Sequence, residues 1–371
     1  MVQYGKVSSM QIVLTLVVCK LFAVITYTPV YTEKAEITAV FLGGVVSTLI
    51  LLAAATPVIL LFRKTQDDIL TLSYRLNPGF GFIVFILLLI GVLAAAVDTM
   101  VDFQFFMVNA VFPDASRFII LITLMIAAFY ASLMGLEGIA RTGTILFLIV
   151  LIALVTIAFT LHNRINLLNL KPVLYEPVKS ILSVAWQDTA RNMELLIFMM
   201  VVPNIKGKAA KSLLGYILLI SVLLCTISFL VATVLGEFTF RQIFPFYMIA
   251  SVVDSKIIRR FDAIHMTLWV ITAFLRTSLF LLTATSLLKR VLPYHIGKWS
   301  CLFSSVVILV AAGFLSGDLQ SSNLLYDFIG KGYPFVILIV LLPIILLLNL
   351  KRISPSASKN REQQRKEEKP E

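Results

Sequence analysis

The chain has 371 residues, 59% of them hydrophobic and 14% charged, with a mean hydropathy of +0.97. A soluble chain of this size carries about 25% charged residues, so the composition argues against a soluble domain and for a polytopic membrane protein. The net charge of +11 is not a nucleic-acid signal, because seven of the 31 Lys and Arg fall in the last 21 residues and others gather in short loops, where they set membrane orientation.

Runs of about 20 apolar residues predict ten spans, at 10–31, 37–62, 80–102, 117–136, 142–161, 181–203, 213–235, 261–287, 299–316 and 334–350. A single Lys precedes the first span and no small-residue cleavage site follows it, which reads as a retained helix rather than a signal peptide. The third span can extend to Val111, because 103–112 stays apolar. The stretch 238–258 is partly apolar, but Arg241, Asp254 and Lys256 bracket it too closely for a full span. It reads as an interfacial or re-entrant element.

Ten spans place both termini on one side. The loop cations alone divide almost evenly between the two faces, and the tail tips the balance towards a cytoplasmic N-terminus. The longest outer connection, 162–180, divides the chain into repeats of about 10–161 and 181–350. Five-plus-five inverted repeats, each led by a discontinuous helix, are a recurring transporter plan. The fold class expected is therefore an all-α integral membrane protein of about ten helices with a LeuT-type transporter fold. Residues 351–371 read as a charged, disordered cytoplasmic tail, its attraction to anionic lipid weakened by Glu362, Glu367, Glu368 and Glu371.

Both predicted repeat leaders are polar in unusual places. The sixth span carries Asp188, Arg191 and Glu194, and the first carries Lys20 near its middle, then Thr26, Tyr27, Thr28 and Pro29. One ionisable group near the bilayer centre costs roughly 2.5–3.5 kcal/mol on insertion scales, so such groups pair or line a polar cavity. At spacings i, i+3 and i+6, the sixth-span trio would cover an arc of about 120° on an unbroken helix, where neighbours can pair. Arg276 has no charged neighbour for about three turns of its own helix, and needs Asp98, Glu194 or a ligand carboxylate. Lys20 reads either as a fixed substitute for a coupling cation or as a partner of Asp98. Asp98 and Asp102 lie toward the outer end of the third span. The candidate ligand site is thus Lys20, Asp98, Asp188, Arg191, Glu194 and Arg276, with a self-satisfied packing lock as the competing reading.

Other features carry less. Asp262 and His265 have relay spacing, but an interfacial helix N-terminus explains them better. Trp186, Trp269, Tyr27 and Tyr31 read as belt or packing aromatics. Cys19, Cys225 and Cys301 are far apart and read as small buried hydrophobes, and the three histidines make no metal pair. The 206–212 stretch KGKAAKS lacks the glycine offset and preceding strand of a phosphate loop, and Gly43–Gly44 is a helix contact. No cofactor, metal or enzymatic activity is predicted.

The opening VSSMQ at 7–11, followed eighteen residues later by Pro29, resembles the start of the endospore germination permeases. These are the B subunits of spore germinant receptors, in the amino acid–polyamine–organocation superfamily. NMELLIFMMVVPNIK at 192–206, FPFYMIA at 244–250 and RFDAIHMTLWVITAFLRTSL at 260–279 extend the resemblance across 7–350. It implies a ten-helix transporter-like fold in the spore inner membrane. It also implies a small nutrient germinant such as an amino acid or sugar, and assembly with A-type and C-type receptor subunits. Pocket residues in such folds come from the first, third, sixth and eighth helices, which here bear Lys20, Asp98, Arg191 with Glu194, and Arg276. The chain departs from the pattern at 19–22, where Cys-Lys-Leu-Phe replaces the expected Gly at the break of the first helix. A free-standing solute transporter and a structural or ion-conducting subunit are the alternative functions.

Overall fold

The computed structural model describes residues 5–26, 37–170, 178–252, 261–317 and 319–353. A short strand β1 (Val7–Ser8) leads into α1 (Ser9–Thr26), followed by α2 (Ile37–Lys64), α3 (Ile69–Leu76), α4 (Pro78–Phe106) and α5 (Arg117–Thr160). Then come α6 (Val178–Ala190), α7 (Glu194–Val201), strand β2 (Ile205–Lys206), α8 (Ala209–Leu235), α9 (Pro245–Val252) and α10 (Phe261–Val291). The chain closes with α11 (Tyr294–Gly297), α12 (Ser300–Leu315), α13 (Leu319–Gly330), α14 (Tyr333–Phe335), α15 (Leu342–Leu348) and α16 (Leu350–Ile353). Among the described residues, seven helices are long and apolar enough to cross a membrane.

These sequences become helices because a lipid interior offers no partner for a backbone N–H or C=O, and an α-helix satisfies both within one segment. The start of α4 is fixed by Asn77, whose side chain accepts from Gly79 N–H and Phe80 N–H with Pro78 in the first turn. The helix continues through a π-helical turn to Val111, as the apolar run predicted. The 44 residues of α5 would measure about 66 Å if straight, twice a hydrocarbon core. Gly135, at φ 78°, interrupts them where the fourth and fifth spans were expected to meet. A Cβ is disfavoured in that conformation. Of the 238–258 stretch, the residues up to Val252 form a 3₁₀ segment (Gly236–Arg241) and the eight-residue α9, too short to cross, while Asp254 and Lys256 lie outside the described residues.

Helix α1 is buried along nearly its whole length, against α5, α8 and α10. Outer helices instead expose large apolar side chains, such as Leu49 of α2, Ile126 of α5 and Phe303 of α12, to the lipid. The two strands pair in parallel, Val7 with Ile205 and Ser8 with Lys206, and Ser9 Oγ donates to Lys206 O at 2.8 Å. The start of α1 and the end of α7 therefore share one face of the protein. The α6–α7 segment runs opposite to α1.

Gly43 lets α2 and α6 approach closely, and Gly44 faces Ser228 of α8, so the pair is a helix contact as expected. A Cβ on Gly43 would stand 2.4 Å from Val184 Cγ1. Gly43→Val is expected to cost about 1–3 kcal/mol in detergent unfolding, and Val184→Ala in the same chain should recover part of it. Equal stability of wild type and Gly43→Val would disprove this packing.

Three stretches of interest lie outside the described residues: Tyr27, Thr28, Pro29 and Tyr31 after α1, the Asp262 side chain, and the tail from 354 onwards.

Candidate functional site

The sixth span is broken at Arg191–Met193, between α6 and α7. Asn192 shapes the break. Its side-chain nitrogen donates to Asp188 O and Thr189 O, both at 3.1 Å, satisfying carbonyls that the end of α6 leaves without intrahelical partners. Tyr216 of α8 donates to Asn192 Oδ1 at 3.4 Å. The break creates a helix C-terminus and a helix N-terminus at mid-membrane, with partial negative and positive charge respectively.

The buried charges match those two ends. Lys20 Nζ, from α1, lies at the C-terminal end of α6, donating to Asp188 O at 3.3 Å and standing 3.6 Å from Asp188 Oδ1. Glu194 occupies the first turn of α7, where an anion is favoured. Arg276 of α10 donates through Nε to Glu194 Oε1 at 2.9 Å, and its Nη1 lies 3.8 Å from Asp98 Oδ2 of α4. Arg191 places its guanidinium 3.8 Å over the ring of Tyr326 of α13, a cation–π contact. Glu194, Lys20 and Arg276 are 0%, 1% and 1% exposed.

The six residues named from the sequence thus form a connected region spanning α1, α4, the α6–α7 break and α10. Three cations, Lys20, Arg191 and Arg276, stand with three carboxylates, Asp98, Asp188 and Glu194, and the charge of a fourth, Asp102, also acts on Arg276. Two details differ from expectation. The sixth-span trio does not share one unbroken helical arc, because the helix stops between Asp188 and Glu194 and each acid takes a cation from another helix. Lys20 meets Asp188 rather than Asp98. Helix α1 itself runs unbroken through Cys19–Phe22, in keeping with the absent glycine.

The pairing is incomplete. Glu194 Oε2 and Arg276 Nη1 are buried without a hydrogen-bond partner. A buried unsatisfied polar group costs roughly 1–3 kcal/mol, more when charged. An acceptor and a donor left open together can receive a small polar molecule or water.

Away from the strand pair, aromatic rings close the region. Trp269 stacks on Phe103 at 5.2 Å, packs on Phe22 at 4.9 Å and Phe106 at 4.2 Å, and donates to Thr26 Oγ1 at 2.7 Å. His265 is not at an exposed interface: it is 1% exposed, between Phe106, Phe246 and Tyr247, with both ring nitrogens lacking a hydrogen bond. Burial overrode the helix-end reading because α9 folds over it. Trp186 donates to Lys331 O at 3.1 Å, and Cys19 and Cys301 are buried as small hydrophobes. Asn192, Tyr216 and Tyr326 were not singled out as site residues. A single Asn between two charges in an apolar run was the available signal for the first.

Two solved transporter structures share this architecture. A substrate-bound, outward-open Na⁺-coupled sialic acid symporter aligns with TM-score 0.58 at 12% identity, over 88% of this chain and 76% of that one. MhsT in complex with L-phenylalanine aligns with TM-score 0.59 at 12% identity, over 94% and 90%. At that identity the likeness establishes the fold, a LeuT-type transporter fold. Spore germination protein KB of Bacillus subtilis (strain 168) is 26% identical over 227 residues, spanning 59% of this chain and 59% of that protein. The family model described as "Spore germination protein" matches residues 6–316, most of the membrane part, and this chain, a multi-pass membrane protein with a transporter-type fold, belongs to that spore germination family.

Proposed function

We propose that this chain is the transporter-like B subunit of a spore germinant receptor, binding a small nutrient germinant at the α6–α7 break. The observation that carries the reading is the gathering of six charges around that break, five of them buried and Asp188 half-buried, with Glu194 Oε2 and Arg276 Nη1 left without hydrogen-bond partners. A packing lock needs no helix interruption at its centre. A ligand site uses one, because the interruption presents backbone ends within the membrane. The presence of both signs of charge suits a neutral or zwitterionic molecule, such as an amino acid or a sugar.

An arrangement of two inverted repeats, as the sequence suggests, is consistent with the same reading. The opposite directions of α1 and α6–α7 are those of repeat leaders, and α1 packs on α8 as α6 packs on α2. The face bearing the strand pair also bears Lys6, Arg63, Lys64, Lys208 and Lys211, a cation-rich side that supports a cytoplasmic N-terminus with the aromatic closure outside. Germinant binding then shifts a conformational equilibrium that the A-type and C-type subunits read in the spore inner membrane.

The test is a nutrient panel on spores lacking the gene, with the purified protein assayed for the same nutrient. Loss of one nutrient response together with direct binding is the expected result. Accumulation of solute in proteoliposomes without a germination defect would instead show a free-standing transporter.

A further inference from the structure

A second feature, independent of the germinant site, lies on the face that carries the strand pair. The end of α2 and the start of α8 enclose a cleft of about 680 Å³ lined by Phe62, Arg63, Lys64, Lys208, Lys211 and Leu214, among others. Four cations face it and no lining residue is acidic. Among the described residues, none of the four forms an ion pair. The nearest acid in sequence, Asp67, pairs with Arg75, and Asp68 pairs with Arg290 at 2.6 Å. Gln66 Nε2 donates to Gly207 O at 3.4 Å, tying the two walls of the cleft together.

Ordinary orientation-setting cations would be scattered along helix ends with their heads in water. Here they surround one concavity, and its floor is apolar. Phe62 and Ala210 are buried there and Leu214 is half-buried. From Leu214 an exposed stripe continues along α8 through Leu218 and Val222, at i+4 and i+8 on one helix face. A matching stripe descends α2 from Lys64 through Leu60 to Leu49. The first turn of α8 adds its dipole, with Lys208 offering no side-chain cap to the opening N–H groups.

We propose that this cleft binds the phosphate head group of an anionic phospholipid, whose acyl chains lie along the Leu214–Leu218–Val222 stripe. Basic pockets between membrane helices are suited to such head groups. The apolar floor and its continuation to the lipid-facing surface select a lipid over free phosphate. The volume exceeds that of a single phosphate and leaves room for the glycerol beyond it.

The experiment titrates the full-length protein in mild detergent with phosphatidylglycerol, with phosphatidylcholine and with inorganic phosphate, following thermal unfolding and native mass. Phosphatidylglycerol should raise the unfolding temperature and remain bound, and neither of the others should at equal concentration. Lys208→Gln/Lys211→Gln should weaken the phosphatidylglycerol effect about thirtyfold. Arg63→Gln/Lys64→Gln, on the other wall, should do the same, so a folding failure in one pair leaves the other decisive. Lys298→Gln, at a basic residue on the same face outside the cleft, should leave the effect unchanged. Equal effects of the two lipids, an equal effect of inorganic phosphate, or an equal loss with Lys298→Gln would overturn the proposal.

Discussion

Arg276→Gln is expected to cost about 3–5 kcal/mol of stability and to abolish the nutrient response of spores that depend on this protein. The arginine stands between Glu194 and Asp98, at 2.9 and 3.8 Å, and all three are buried. Removing it leaves two carboxylates facing one another in an apolar interior, where loss of one partner costs more than the pair itself contributes. Unfolding in detergent measures the stability term, and germination of spores with matched protein levels measures the response. Arg276→Lys separates the two. It keeps the charge but replaces a planar fork of donors with a single ammonium, so protein level should return while the response stays impaired. Full germination with Arg276→Gln at normal protein level would dismiss the ligand site.

The second large effect belongs to Lys20. Lys20→Met removes the cation at the end of α6 and leaves Asp188 with its carboxylate in a largely buried position, 18% exposed. A loss of about 3 kcal/mol is expected. Lys20→Met/Asp188→Asn should recover much of it, with a coupling of about 0.5–3 kcal/mol in the double-mutant cycle. The recovered protein should still respond poorly, because the contact joining α1 to the broken helix is gone. Additive effects of the two single changes would show that the 3.6 Å pair contributes nothing. Because Lys20 supplies a fixed positive charge within α1, the wild-type response should persist when sodium is replaced by choline. A strict sodium requirement would refute that role.

Much of the site was legible from the chain alone, for one physical reason. An ionisable side chain in a long apolar run is conspicuous whatever the fold, because its transfer into lipid is costly. Lys20, Asp188, Arg191, Glu194 and Arg276 were therefore visible without coordinates. Their pairing was not. Helical spacing suggested that Asp188, Arg191 and Glu194 could satisfy one another along one arc, but the break at 191–193 and the side chain of Asn192 direct Asp188 to Lys20 and Glu194 to Arg276. Periodicity describes neighbours on one helix and is silent about partners 82 or 168 residues away.

His265 shows the same boundary from the other side. Its position near a helix start indicated an interface, whereas Phe246 and Tyr247 of the folded-back α9 bury it. The basic cleft was equally invisible as a cavity. Its lysines were legible as loop cations, but the approach of the α2 and α8 ends made them one concave site.

The sequence by itself determined that this is a many-span membrane protein of the spore germination family, with a polar, charge-bearing sixth span. Those conclusions rest on composition, run length and motif order, which are local properties of the chain. The tertiary structure alone decided where that span breaks, which charges neutralise which, and that a donor of Arg276 and an acceptor of Glu194 remain open. Those are properties of packing between distant segments, set when helices with opposite directions bring their buried charges to the same depth.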